Sequence, residues 1–421
     1  MHRTKLVHRA ARGLAGHPRI RALAKRAYFV SGRIASGKQP KVVGDAVSTS
    51  RISPIFPAKG GDEFFFGYYD KTPDAGAGAI LGHRTHRSTR LSPDPKLPID
   101  VVLMDEKSGR LKVLGCTVAY NWQQGARAQW LSPEKVIYND FDHVAGRYVA
   151  RTVIIDSLDE RTLDYPVQDA FRDQFYLTID YGALSLVAQR DYGYRNIARK
   201  DVAEKLTDES RGIRKVDLKS GMSQVIHSMA DIERRGPARN SAPVISVVNH
   251  VMIRPDGNGF IFVHRSFGKY GRHDVLMYSD FRSVRVLIDS GMVSHYCWLS
   301  DRRIFGYMKV NDTTGYFEVD IETGSATECE ELRDFGDGHP TALRDLVVFD
   351  SYPRLNGMQG LWQFDLSSRE VRHLADFQHS VSYWGETRCD LHPRFGKSGD
   401  RVFVDSVCLG ARNMYAVDLI G

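Results

Sequence analysis

Four histidines, His250, His295, His339 and His392, each open a similar stretch of chain, at intervals of 45, 44 and 53 residues. The stretches read NHVMIRPDGNGFIFVHR, SHYCWLSDRRIFGYMKV, GHPTALRDLVVFDSY and LHPRFGKSGDRVFVDS. In each, a polar start runs into a turn rich in Pro, Gly or Asp and then into a short apolar run. A period of about forty to fifty residues built from short strands is the signature of a β-propeller blade. Equivalent positions in successive blades lie on one ring around a central channel. One histidine at the same place in four blades therefore points four imidazoles at a shared axial space, an arrangement suited to a metal ion. Histidines before such turns also serve as plain backbone hydrogen-bond partners, so the repeat leaves both roles open.

A second repeat interleaves with the first. Segments starting at Val101 (VVLMDEKSGRLKVLG), Ile213 (IRKVDLKSGMSQVIH), Tyr316 (YFEVDIETGSATECE) and Leu361 (LWQFDLSSREVRHLA) share an apolar strand ending in Asp, a polar turn and a departing strand. Each predicts a β-hairpin in the outer half of a blade. The chain ends near a first hairpin strand without its return, MYAVDLIG from Met414, which predicts ring closure by a strand from the N-terminal side. Phe64–Asp70 (FFFGYYD) is the expected partner. Residues 55–421, some 365 in all, accommodate seven blades of roughly fifty residues. The expected fold is thus all-β, a seven-bladed propeller of four-stranded antiparallel blades over 55–421, preceded by a basic extension over 1–50.

That extension dominates the charge. Of 58 Lys and Arg, eleven fall within residues 1–41, which hold no acid, leaving 47 bases against 51 acids elsewhere. The segment lacks the unbroken apolar stretch of a secretory signal. Residues 20–30 suit a short basic amphipathic helix on an anionic membrane surface, and equally a solvated tail. A specific nucleic-acid partner is not expected, because the globular part is not basic. No apolar run is long enough to span a bilayer. Five scattered cysteines form no disulfide framework and point to a reducing, cytoplasmic setting, with the basic segment touching the inner membrane.

The phrases GYYDKTP (from Gly67), NWQQGARAQW (from Asn121), ALSL (from Ala183), DYGYR (from Asp191), HRSFGKYGR (from His264), SHYCW (from Ser294), GHP (from Gly338) and RCDLHPR (from Arg388) occur in order. Together they resemble a bacterial propeller family related to oligogalacturonate lyases and ulvan lyases, whose members often accompany polysaccharide biosynthesis genes. The resemblance implies β-elimination on a polysaccharide or oligosaccharide containing uronic acid. It also implies a metal in the channel, held by histidines from several blades and in some cases by cysteine.

Such a reaction needs a group to neutralise the uronate carboxylate, a base for the α proton and an acid for the leaving oxygen. His83, His86, Arg190, Tyr192, Tyr194, His264 and Arg265 are candidates by chemistry. The resemblance to ulvan lyases matches Arg190 and Tyr176 to an Arg and a Tyr flanking one strand. Tyr192 and Tyr194 equally suit packing between blades, and His86 a solvated loop. For the metal, His250, His339, Cys389 and His392 form the expected set, with His295 and Cys297 as alternates. A thiolate among the ligands favours zinc over manganese or calcium. The competing functional class is a non-catalytic propeller that binds glycan or protein partners in a polysaccharide biosynthesis system. A glycosyltransferase finds no support, because no αβ alternation is present.

Overall fold

The structure, a computed structural model, describes residues 27, 30–32, 42–44, 52–57, 60–187, 192–207, 211–236, 245–269 and 271–419. Seven antiparallel sheets follow one another along the chain, over residues 63–117, 129–163, 169–228, 245–289, 293–328, 341–378 and 394–418. They are the blades of a seven-bladed β-propeller, numbered one to seven below.

The four predicted hairpins are each the third and fourth strands of a blade, counted from the channel. Ile99–Asp105 pairs with Arg110–Thr117, Gly212–Asp217 with Ser223–Ser228, Thr313–Asp320 with Ala326–Glu328, and Met358–Asp365 with Val371–Gln378. The aspartate that ends the first strand explains the turn. Asp105, Asp217, Asp320 and Asp365 each accept hydrogen bonds from backbone N–H groups two or three residues on. The side chain thereby mimics a backbone turn and fixes where the strand reverses.

Closure differs from the expectation in its details. The C-terminal strand Asn413–Asp418 pairs with Ile52–Pro54, which becomes the outer strand of blade seven. Phe64–Asp70 is not that partner. Glu63–Phe65 is the innermost strand of blade one, against Ala79–Thr85. The reason is burial: Phe64, Phe65 and Phe66 are all buried and cannot sit on an exposed outer edge. Val42–Gly44 adds a fifth strand to blade six, in register with Ala375–Phe377. The ring thus draws on residues that the sequence reading leaves outside it. The basic segment falls largely outside the described residues. Among the described residues, no helix is long and apolar enough to cross a membrane.

After Phe65 the chain turns inward and crosses the channel. Phe66 and Gly67 N–H groups donate to the Asp405 carboxylate of blade seven at 3.1 and 2.9 Å. The Tyr68 hydroxyl meets His250 of blade four, and the Tyr69 hydroxyl bonds the Tyr296 backbone of blade five. Asp70 accepts from Nη1 and Nη2 of Arg127, at the entry to blade two, and Lys71 pairs with Asp169 of blade three. Residues 67–72 therefore plug the channel and tie five blades to it. Gly67 makes the inward turn at φ +115°, where any Cβ would lie 2.6 Å from the Gln124 carbonyl carbon. That position requires glycine.

Candidate metal and substrate site in the channel

The four repeated histidines meet on the axis. His250 lies in Ile245–Ile253 and His295 in Val293–Trp298, innermost strands of blades four and five. His339 and His392 stand just before the innermost strands Thr341–Leu343 and Arg394–Phe395 of blades six and seven. Each strand is broken or not yet begun at the histidine. The ladder of blade four slips between Asn249 and Met252, and that of blade five between Val293 and Tyr296. His250 and His392 adopt φ of +52° and +47°. Left-handed backbone at such residues is uncommon and clusters at functional sites. These irregularities turn the imidazoles along the channel rather than into the sheet faces.

Ring centroids of His295 and His339 lie 4.1 Å apart, those of His339 and His392 4.2 Å, and those of His250 and His295 5.4 Å. Every ring is oriented through Nδ1. His392 Nδ1 donates to the Gly67 carbonyl of the plug at 2.7 Å. His339 Nδ1 donates to the Asp350 carboxylate at 3.0 Å, and His295 Nδ1 lies 3.3 Å from Asp337. His250 Nδ1 shares its bond with Tyr68, whose ring stacks against the His250 ring at 5.6 Å. A carbonyl or carboxylate partner on Nδ1 leaves the Nε2 lone pair free, the arrangement seen around bound metals.

At His339 and His392 that Nε2 is buried and has no hydrogen-bond partner among the described residues. Asp390 joins the two histidines, and one ligand atom from each of the three residues lies within 4.8 Å of the others. Buried polar atoms normally find partners, so two orphaned imidazole nitrogens beside a buried carboxylate fit a cation. Asp350 sets this geometry. Its carboxylate accepts the backbone N–H of His339 at 2.7 Å and of His392 at 3.0 Å, so one side chain fixes both donors across two blades.

The electrostatics favour the neutral ring at His250 and His392 and oppose it at His339. Burial, aided by neighbouring His295 and Arg265, holds His250 well below the ordinary histidine range, and burial beside His339 does the same for His392. Both are therefore neutral, the form that binds metal. Burial also opposes charge on His339, but Asp350, Asp390 and Asp337 together leave it above the ordinary value. Burial pushes the Asp390 carboxyl up, and Arg388, bonded at 2.6 and 2.7 Å, with His339 brings it below the usual range.

Cationic and aromatic groups surround this centre. Buried Arg265 bonds Asp274 at 2.8 Å, and Arg272 reaches the same Asp274 at 3.1 Å. Arg388 lies 4.7 Å above the ring of Tyr352, itself 5.5 Å from His339. Tyr192 stands edge-on to His250 at 5.3 Å and to Tyr68 at 5.7 Å.

Of the catalytic candidates, Tyr192 and Arg265 reach this space. Tyr176 is buried and its hydroxyl bonds the Tyr165 carbonyl, within the packing between blades two and three. Tyr194 stacks on Tyr181 at 4.3 Å and bonds Asn139, again in the core. His86 is exposed and pairs with Asp62 and Asp100. His264 is buried beside Gly236, because alternation along Phe260–Gly268 sends it opposite to Arg265. Arg190 lies outside the described residues.

The cysteines leave the ligand set. Cys389 is fully buried with Tyr383 and Val407, where burial pushes its thiol up to about 12. Its neighbour Asp390 faces the histidines instead. Cys297 packs with Phe305 and Tyr316, because the slip in its strand removes the two-residue alternation that would align it with His295. Asp350, Asp390, Tyr68 and Tyr352 were missed. Asp390 had a usable signal, two residues before His392.

His83 is a correction with its own consequence. It packs between blades one and two, stacked on Phe65 at 5.0 Å, with Nε2 accepting the Ala126 N–H at 3.1 Å. Burial lowers its pKa from 6.5 to about 4. The folded state then binds fewer protons than the unfolded between those values, so this stability is intact above pH 6.5 and lost as pH falls toward 4. Between about pH 7 and pH 5 the loss is about 2 kcal/mol. Denaturant unfolding at both pH values should show that His83→Gln flattens the slope by this amount. An unchanged slope would place the acid sensitivity elsewhere.

No protein-family model matches the chain, and no curated protein does. Among solved structures, an oligogalacturonate lyase in complex with manganese superposes with a TM-score of 0.61 at 16% identity, over 90% of this chain and 96% of that one. An oligogalacturonate lyase from Vibrio parahaemolyticus gives 0.59 at 16% identity, over 91% and 99%. At this identity the likeness is one of fold, and it extends over the whole ring.

Proposed function

We propose that the channel site binds one divalent cation through His339, Asp390 and His392, and that it acts on a uronate-containing oligosaccharide or polysaccharide by β-elimination. The observation that carries this reading is the pair of orphaned, buried Nε2 atoms on two histidines that converge with the Asp390 carboxylate, beside Arg388. When bound, the cation supplies Lewis acidity that neutralises a substrate carboxylate and so acidifies the proton α to it. Two imidazoles and a carboxylate accept manganese, iron or zinc, and without a thiolate the preference for zinc lapses.

The chain's own groups supply the rest. Arg272 and Arg388, each partly exposed, attract and orient an acidic sugar, Arg388 through a fork already aligned by Asp390. The Tyr352 and Tyr192 rings offer faces for a pyranose. Tyr192, between Tyr68 and His250 and close to Arg265, is placed to move a proton at its hydroxyl. The basic residues 1–41 add a proposed contact with anionic membrane.

The test is incubation with a panel of uronate oligosaccharides, following the ultraviolet absorbance of the unsaturated product. Absorbance should grow with the parent protein, fall after chelation and fall at least about a hundredfold in Tyr192→Phe, the scale of one general acid or base. No product from any member would sink the lyase reading. Saturable binding without product would identify the non-catalytic glycan-binding propeller instead.

A further inference from the structure

Glu386 lies in the linker between blades six and seven, Arg195 in the connection between the second and third strands of blade three, and Ser92 in the corresponding connection of blade one. Strands alternate in direction within a blade, so these connections and the inter-blade linkers open on one face of the ring. That face also carries His339 and His392, which precede their innermost strands. The Glu386 carboxylate pairs with the Arg195 guanidinium through one oxygen and accepts the Ser92 hydroxyl through the other. Blades three and seven stand three places apart, the greatest separation a seven-membered ring allows. The ion pair and the Ser92 bond therefore bridge the loops of blades one, three and seven on that face.

Both ends of this contact lead straight to the axial groups. Three residues before Arg195 is Tyr192, against His250 and Tyr68. Two residues after Glu386 is Arg388, bonded to Asp390 and stacked on Tyr352. A small cleft lined by Pro93, Pro95, Tyr120, Gly193, Arg195 and Glu386 lies alongside the contact, so the loops are not packed solidly against one another. At the other end, residues 67–72 plug the channel, which leaves the strapped face as the way to the histidines.

We infer that Ser92, Glu386 and Arg195 form a strap across the mouth that opens to admit ligand and, on closing, returns Tyr192 and Arg388 to the ring. The inference rests on the proposed axial site. The pair suits a latch: its side chains are 29% and 24% exposed, so it forms and breaks at modest cost and weakens with salt. Opening is a loop motion that leaves the blades intact.

The experiment loads the full chain with manganese and compares the parent with Glu386→Gln and Arg195→Ala, measuring metal content, its rate of loss to a chelator, and backbone hydrogen exchange. The expected result is unchanged content, metal loss faster by about fivefold, the scale of one partly exposed ion pair, and faster exchange confined to residues 86–98, 192–196 and 380–388. Unchanged rates of loss and exchange in both variants would overturn the strap. Faster exchange throughout the ring would overturn it too, by showing a structural brace. A parent that holds no manganese refutes the cation site separately. The strap is then judged on exchange alone, where a local rise supports it and no rise refutes it.

Discussion

Protein carrying His339→Ala should hold almost no divalent metal where the parent holds one ion per chain. His339 occupies the middle of the histidine row, 4.1 Å from the His295 ring and 4.2 Å from the His392 ring, and its Nε2 is one of the two orphaned donors. With three protein donors, losing one leaves His392 and Asp390, too few to hold a divalent ion against water. Asp350→Asn is the sharper variant. It keeps the volume but replaces one acceptor oxygen with a donor, so it can no longer accept from both backbone N–H groups and from His339 Nδ1. Loss of a partner that orients a ligand typically lowers metal affinity about 10- to 100-fold. Elemental analysis of protein purified without chelator, then titration of chelated protein with manganese and zinc, measures both effects. If the histidines only brace turns, His339→Ala costs about 1–2 kcal/mol of stability and leaves metal content unchanged. A parent preparation with no stoichiometric metal would overturn the site.

The repeats were legible because propeller blades are read from local signals. The Asp-ended hairpins and the histidine period each report a turn or a strand start, and both survive in the fold. Partners distant in the chain were not legible. Ile52–Pro54 is three residues with no pattern of its own, selected by the unpaired edge of Asn413–Asp418. The plug was invisible for the same reason, since GYYDK acquires its role from blades two, three, four, five and seven together. At the site, the histidines were found but the choice between Cys389 and Asp390 was not. It depends on which of two neighbours faces the axis, and at a residue pair preceding the strand Arg394–Phe395 the strand alternation has not yet been established. Tyr176 and His83 show the converse. Their chemistry suits catalysis, but position within a blade, not residue type, decides whether a side chain reaches the channel.

Arg127→Ala should be the most damaging change outside the metal centre, at about 3–5 kcal/mol. The guanidinium donates to both Asp70 oxygens at 2.8 and 2.7 Å and to the Gln168 carbonyl, and both charged side chains are almost wholly buried, at 1% and 2% exposure. Burial works against the Arg127 charge, and Asp70 more than restores it. Removing the cation leaves a carboxylate in the floor of the channel with its partner gone. The plug then loses its bond to blade two directly beneath Tyr68, whose ring lies 5.8 Å from the Arg127 guanidinium. By contrast, Arg147 and Asp164 pair at 2.7 Å with 52% and 63% exposure, and Arg147→Ala should cost less than about 1 kcal/mol. Adding Asp70→Ala to Arg127→Ala should recover part of the loss, because no uncompensated charge then stays buried, and the double-mutant cycle isolates that coupling. Urea unfolding of the four proteins of the cycle and of Arg147→Ala decides the matter. An Arg127→Ala cost no larger than that of Arg147→Ala would mean that the plug is held by its other contacts, those of its tyrosines, Lys71 and the Asp405 and His392 side chains. The ion pair beneath the site would then be dispensable to the ring.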